Sequence, residues 1–286
     1  MYYMFGYNLV RGDDTMYRIK PWEELTIQDD YMFKLIMSRK RICKKMLEKL
    51  LQIPIRDIKY IDEEKSVKAR YESKGVRLDV YVEDDQNTVY DIEMQVRQPE
   101  GDGLFKRTRY YQSMIDADLL AMGTDYDALN PCIIIFICPF DAFGQDRHIY
   151  TFNNYCEQDK NLPLGDGAAK IFLNTKGTAD DVPSDVRAFL DYVDGRINDD
   201  AFVQEIDQEI REVKKIENER VSYMTLAMKM MEERKEGRKE GHKEGVASVA
   251  IGMLKLKLSL DVIQAATELP LETIKKLAIE NNISYE

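Results

Sequence analysis

Three side chains in one short stretch, Asp79, Glu93 and Gln95, have the types and spacing to handle a hard metal ion and a water molecule. They lie between Val76 and Val96, where apolar and polar residues alternate. Val76, Leu78, Val80 and Val82 alternate with Arg77, Asp79, Tyr81 and Glu83. Tyr90, Ile92, Met94 and Val96 alternate with Val89, Asp91, Glu93 and Gln95. Period-two alternation marks half-buried strands. It predicts that Asp79, Glu93 and Gln95 sit mid-strand on faces away from the core, where acids are disfavoured. Folding alone gives no reason to place them there.

The turn between the strands decides whether the acids meet. A two-residue loop at Asp85-Gln86 would pair Asp79 with Ile92 and set an acid beside the core, since a one-residue slip reverses every side chain. A three-residue loop, Asp85-Gln86-Asn87, restores parity, and Asn tolerates the left-handed conformation its last position needs. That register sets Asp79 opposite Glu93, with Cβ atoms roughly 4.5–5.5 Å apart. Like charges this close repel unless one is protonated or a cation lies between them. Mg²⁺ is held by one or two carboxylates plus waters and substrate phosphate. The alternative is a pair of solvated acids on an exposed hairpin.

Length and composition narrow the class. The chain has 286 residues, 44% hydrophobic and 33% charged, as in a globular protein with one large domain or a domain plus an extension. The longest purely apolar run, Cys132 to Cys138, is far too short to span a membrane. No basic segment followed by an apolar stretch opens the chain, so a cytoplasmic location is expected. Cys43, Cys132, Cys138 and Cys156 lack CxxC spacing and read as reduced cysteines. With only His148 and His242, histidine-based nucleases, zinc hydrolases and Ser-His-Asp chemistry are disfavoured. The net charge of −11 sits awkwardly with nucleic-acid binding. Two basic clusters offset it locally: Lys34, Arg39, Lys40, Arg41, Lys44 and Lys45, then Arg97, Lys106, Arg107 and Arg109.

The remaining elements follow from periodicity. Residues 28–51 read as one helix, with Asp29 or Asp30 as its N-cap. Ile58 to Tyr71 reads as a first strand, closed by Ser73-Lys74-Gly75. Leu104 to Met122 reads as a helix stopped by Gly123. Cys132 to Cys138 reads as a strand buried on both faces, with further strands at His148–Tyr155 and Lys170–Asn174. Val186–Tyr192 reads as a short helix and Ala201 to about Lys235 as a long one. The sum is an α/β (α+β) fold with a central mixed sheet.

Residues 1–15 fit no element and read as a disordered extension. KEGRKEGHKEG repeats every four residues. Glu236–Lys239 and Glu240–Lys243 pairs support a helix, but Gly237, Gly241 and Gly245 each cost it about 1 kcal/mol. The domains then read as a core at 16–200, a charged helical spacer at 201–245 and a small helical unit at 246–286. The last, with helices at Leu260–Glu268 and Leu271–Ile279 around Pro270, is similar to a minimal helix-turn-helix. It lacks a basic recognition helix, so homo-oligomerisation or regulation competes with DNA reading.

An acid on one strand and an acid-x-Lys or acid-x-Gln triplet on the next resembles the core of the PD-(D/E)XK nucleases. Asp79 matches the first acid and Glu93-Met94-Gln95 the triplet, with Gln in the Lys place. The wider resemblance is to the Rpn recombination-promoting nucleases, a transposase-like family of that superfamily. It runs over residues 16–286. It is carried in order by PWEELTIQDDYMFKLIMSRK, KGVRLDVYV, TVYDIEMQ, RTRYYQSMIDADLL, CIIIFICPFD, FGQDRHIYTF, IFLNTKG and the Lys/Arg-Glu-Gly repeat. The triplet alone is a weak pattern; the ordered set is specific. The resemblance implies a restriction-endonuclease-like fold and Mg²⁺-dependent cutting of DNA, with Mn²⁺ able to substitute. Asp79 and Glu93 would bind the metal, helped by the Met94 backbone carbonyl. Gln95 would orient the water but, lacking a basic group, could not deprotonate it. Asp30, Arg107 and Tyr111 would support the site, against the plainer readings of helix cap and packed helix face. A nuclease-like protein with little activity, governed by its tail, is the competing implication.

Overall fold

The computed structural model describes residues 9–11, 17–60, 66–67, 76–120 and 123–285. Its centre is a six-stranded mixed sheet. In spatial order it runs β3 (Ile58–Tyr60), β6 (Val80–Asp84), β7 (Val89–Met94), β8 (Cys132–Cys138), β10 (Ala168–Asn174) and β9 (Ile149–Asn153). Strands β7, β8 and β10 are parallel neighbours, while β3, β6 and β9 join antiparallel. Two short ladders lie apart, β1 (Leu9–Arg11) with β2 (Tyr17–Ile19) and β4 (Ser66–Val67) with β5 (Val76–Arg77). Of the opening fifteen residues only Leu9–Arg11 are described, and they form the first strand of the first ladder. The Ser73-Lys74-Gly75 turn lies outside the described residues.

The hairpin has the register the parity argument requires. Val80 pairs with Ile92, Tyr81 with Asp91 and Val82 with Tyr90. Asn87 closes the three-residue loop at φ 61°, in the left-handed region. The Asp84 carboxylate fixes the loop by accepting the Gln86 and Thr88 backbone N–H groups, both at 2.8 Å.

Parallel β7 and β8 need a crossover, supplied by α3 (Gly103–Leu119). Gly101 at φ +65° turns the chain from β7 into that helix. Leu104, Tyr111, Met114 and Ile115 of α3 form a core cluster with Tyr81, Val89, Ile134 and Phe136 of the sheet. This packing corrects the expectation of a solvent-facing polar side. Every residue of β7 is buried, so Glu93 sits under α3 at 1% exposure and Asp79 at 5%.

The segment read as one helix over 28–51 is two, α1 (Asp30–Met37) and α2 (Lys40–Leu51). Ser38 donates its hydroxyl to the Leu35 carbonyl at 2.8 Å, ending α1, and Arg39 is extended. Helices α4 (Ser184–Val193) and α5 (Ala201–Lys214) complete this packed group, with α5 against α1 and α4. The charged helix expected from Ala201 is likewise broken, at Lys215–Ile216. Its Phe202, Val203, Ile206, Ile210 and Val213 stripe is buried.

Helix α6 (Glu217–Lys255) then runs through the Lys/Arg-Glu-Gly repeat without interruption, followed by α7 (Leu260–Thr267) and α8 (Leu271–Glu280). The chain divides into two compact units, residues 1–223 and 224–286. In the second, Ala250, Leu254, Ile263, Ile274 and Ala278 form a small core. Among the described residues no helix is long and apolar enough to cross a membrane.

Candidate metal-dependent nuclease site

Extending the β6–β7 ladder by one residue sets Asp79 opposite Glu93, and the two are tied through the backbone. The Asp79 N–H donates to Glu93 Oε1 at 2.9 Å, and the Met94 N–H donates to Asp79 Oδ2 at 3.3 Å. Both carboxylates are thus aimed by main-chain groups of the opposite strand, whose positions the ladder fixes.

Helix α1 brings two more groups. Asp29, not Asp30, occupies the N-cap position, and its carboxylate accepts the Thr26 N–H and Lys20 Nζ, each at 2.6 Å. That leaves Asp30, 7% exposed, to turn into the site. One turn on, Lys34 reaches back: its Nζ is 3.1 Å from Asp30 Oδ1 and 2.9 Å from Asp79 Oδ1. Lys34 appears in the sequence only as one member of a basic run. Its i,i+4 spacing from Asp30 is the signal that links the two.

Helix α3 brings Arg107, which donates to Gln95 Oε1 at 2.6 Å and lies 3.9 Å from Glu93 Oε2. Its guanidinium sits over the rings of Phe136 and Tyr111, 4.7 and 5.4 Å from their centroids. Tyr111 therefore acts on Arg107 and not on the carboxylates. Gln95 is held at both ends, since its amide also donates to the Arg97 carbonyl. Asp91 is the second site residue that motif matching misses. Parity puts it on the Glu93 face, it is wholly buried, and Asp79, Arg107 and Glu93 are its charged neighbours.

Four buried carboxyls, Asp30, Asp79, Asp91 and Glu93, thus share two cations, Lys34 and Arg107. Burial, then the Asp79 charge, lifts Asp30 to about 6. Burial, then Glu93, lifts Asp79 to about 6. Burial pushes Glu93 and Asp91 well above the ordinary carboxylate range, with Asp91 and Asp79 the respective next causes. A hard divalent cation suits this surplus of oxygen donors and negative charge. Among the described residues no three His, Cys, Asp or Glu side chains gather into a metal cage. The described geometry offers two opposed carboxylates, Asp79 and Glu93, to such an ion.

His148 is 2% exposed, with Nδ1 3.1 Å from Asp181 Oδ1, and a Cβ on Gly177 would lie 2.7 Å from its ring. It is a packed residue.

Sequence comparison agrees with the geometry. No curated protein and no solved structure matches the chain. The family model described as PD-(D/E)XK nuclease family transposase matches residues 27–244, which take in α1, the carboxylate hairpin, α3 and the whole central sheet. A match over most of the chain, on a mixed sheet flanked by helices, establishes that this protein belongs to the PD-(D/E)XK nuclease family transposases.

Proposed function

We propose that this protein is a Mg²⁺-dependent DNA endonuclease that hydrolyses phosphodiester bonds, serving DNA recombination, transposition or mobile-element defence. The observation that carries this reading is the backbone-aligned pair Asp79 and Glu93, both buried and short of countercharge. Mg²⁺, or Mn²⁺ in its place, held by these carboxylates and the Met94 carbonyl would polarise the phosphoryl oxygens and acidify the attacking water.

The chain's own groups do the rest. The Asp79 and Met94 N–H groups hold the carboxylates in register before substrate arrives, so no reorganisation is needed at the moment of reaction. Lys34 puts an ammonium beside Asp79, the positive charge that Gln95 does not supply. Arg107 clamps Gln95 and borders Glu93, where charge on a phosphate oxygen could be met by a donor. Gln95 keeps an amide at the edge of the site to orient a water. Supercoiled plasmid with Mg²⁺, Mn²⁺ or EDTA tests the reading. Nicking requires metal and falls by at least about a hundredfold in Asp79→Ala and Glu93→Ala. Wild-type rates in these folded variants would remove the site.

One observation favours a second reading, a nuclease fold with weak activity governed by its tail. Both ends of the Gln95 amide are already engaged by Arg107 and Arg97. Metal binding without turnover would support that alternative. The tail itself we read as a homo-oligomerisation unit, since Val249, Leu256, Val262 and Ile279 stay exposed beside its small core.

A further inference from the structure

The sheet register continues the catalytic row into aromatic residues. Glu93 pairs with Phe136, Phe136 with Phe172, and Phe172 with Tyr150. All lie on the face that α3 covers, at strand steps of roughly 4.8 Å. Phe136 and Phe172 are stacked, with centroids 5.5 Å apart and planes at 16°. Beyond them the rings reach solvent. Phe105 in the first turn of α3 stacks on Phe143 at 4.9 Å, and Phe143 meets Phe152 at 4.9 Å. Phe105 is 37% and Phe152 43% exposed.

The group is held rigidly. The Asp141 carboxylate accepts the Tyr150 hydroxyl at 2.8 Å and the Phe143 and Asp146 N–H groups at 3.0 and 2.8 Å, which fixes the loop carrying Phe143. The cluster is continuous with the proposed site, because Phe136, stacked on Phe172, also lies beneath Arg107. Lys106 and Arg109 on α3 and Arg147 in the loop before β9 are exposed on the segments that carry these rings, with Lys106 3.6 Å from Asp102 and Arg147 3.9 Å from Asp181.

We propose that Phe105, Phe143 and Phe152 form a stacking platform for an unpaired DNA base. It would lie one or two nucleotides from the bond cut at Asp79 and Glu93, so the preferred substrate carries a single-stranded or splayed stretch. This rests on the nuclease reading above. Two or three strand steps separate Glu93 from the platform, a span of roughly 10–15 Å. An exposed ring binds a base face only when the base has left its duplex stack, and basic neighbours hold the backbone.

The test uses the full chain in Ca²⁺, with a single-stranded oligonucleotide carrying 2-aminopurine and with its duplex. The wild type is expected to bind the single strand more tightly and to quench the probe. A Phe105→Leu/Phe152→Leu variant keeps the apolar bulk but loses the rings. Its affinity is expected to fall from about fivefold to somewhat over a hundredfold, with quenching lost and circular dichroism unchanged. Equal binding and quenching by wild type and the Leu variant would overturn the platform, as would tighter binding of the duplex by the wild type. Absence of metal-dependent cutting on every substrate would instead strike at the nuclease reading, because the stacking assay needs no turnover.

Discussion

At the residue scale the controlling fact is an excess of buried negative charge. Asp30 and Asp79 each ionise at about 6 in the fold, against 3.8 in the unfolded chain, mainly because burial disfavours the charged form. The folded state therefore binds more protons between those values, and stability falls as pH rises through that window. In EDTA the melting temperature is expected to drop between about pH 4 and pH 6, and Asp30→Asn to flatten the drop. A melting temperature that climbs over that range would contradict the assignment. The Gln at the Lys position also has a local reason. Arg107 lies 2.6 Å from Gln95 Oε1, so Gln95→Lys would oppose two cations in a half-buried place. That substitution is expected to cost on the order of 1–2 kcal/mol in urea titrations. It should not raise activity, whereas pairing it with Arg107→Gln should recover the loss.

At the scale of elements, the hairpin turn sets the site. Asn87 at φ 61° is what makes the loop three residues long, and so places Asp79 against Glu93. Asn87→Gly should be tolerated with nicking preserved, while Asn87→Val should lose about 1–2 kcal/mol of stability because a β-branched residue resists that conformation. Equal stability of the two variants would remove the turn's special role. The β-strand pairing is legible in the sequence because it follows from parity alone. The break between α1 and α2 is not, because apolar spacing continues across Ser38 and Arg39. Only the Ser38 hydroxyl bond and the extended Arg39 show where the helix stops.

At the scale of the whole molecule, the proposed site and its supports, from Asp30 to Phe136, all lie within the first compact unit. The family match ends at 244, before α7 and α8. A chain ended at Glu244 should keep metal-dependent nicking within about threefold and should sediment as a smaller species than the full chain, if the tail associates. Loss of nicking in a folded truncation would show that the tail completes the site. In helix α6, a Cβ on Gly237, Gly241 or Gly245 meets nothing within 4 Å. Ala at all three should raise helicity by circular dichroism, each adding about 1 kcal/mol to that stretch.

The sequence by itself determined the opposed acids, the three-residue turn, the Gln in the Lys place and the alternation of sheet and helix. Each depends on side-chain period or on a residue's own backbone preference, both local properties. Tertiary structure decided that the acids are buried instead of solvated, because only the crossover packing of α3 covers their face. It also decided that Asp30 turns inward with Lys34, that Arg107 holds Gln95, and that Asp91 lies buried among the other carboxyls and Arg107. These contacts join residues far apart in the chain, and their charge balance depends on burial, which no window of sequence contains.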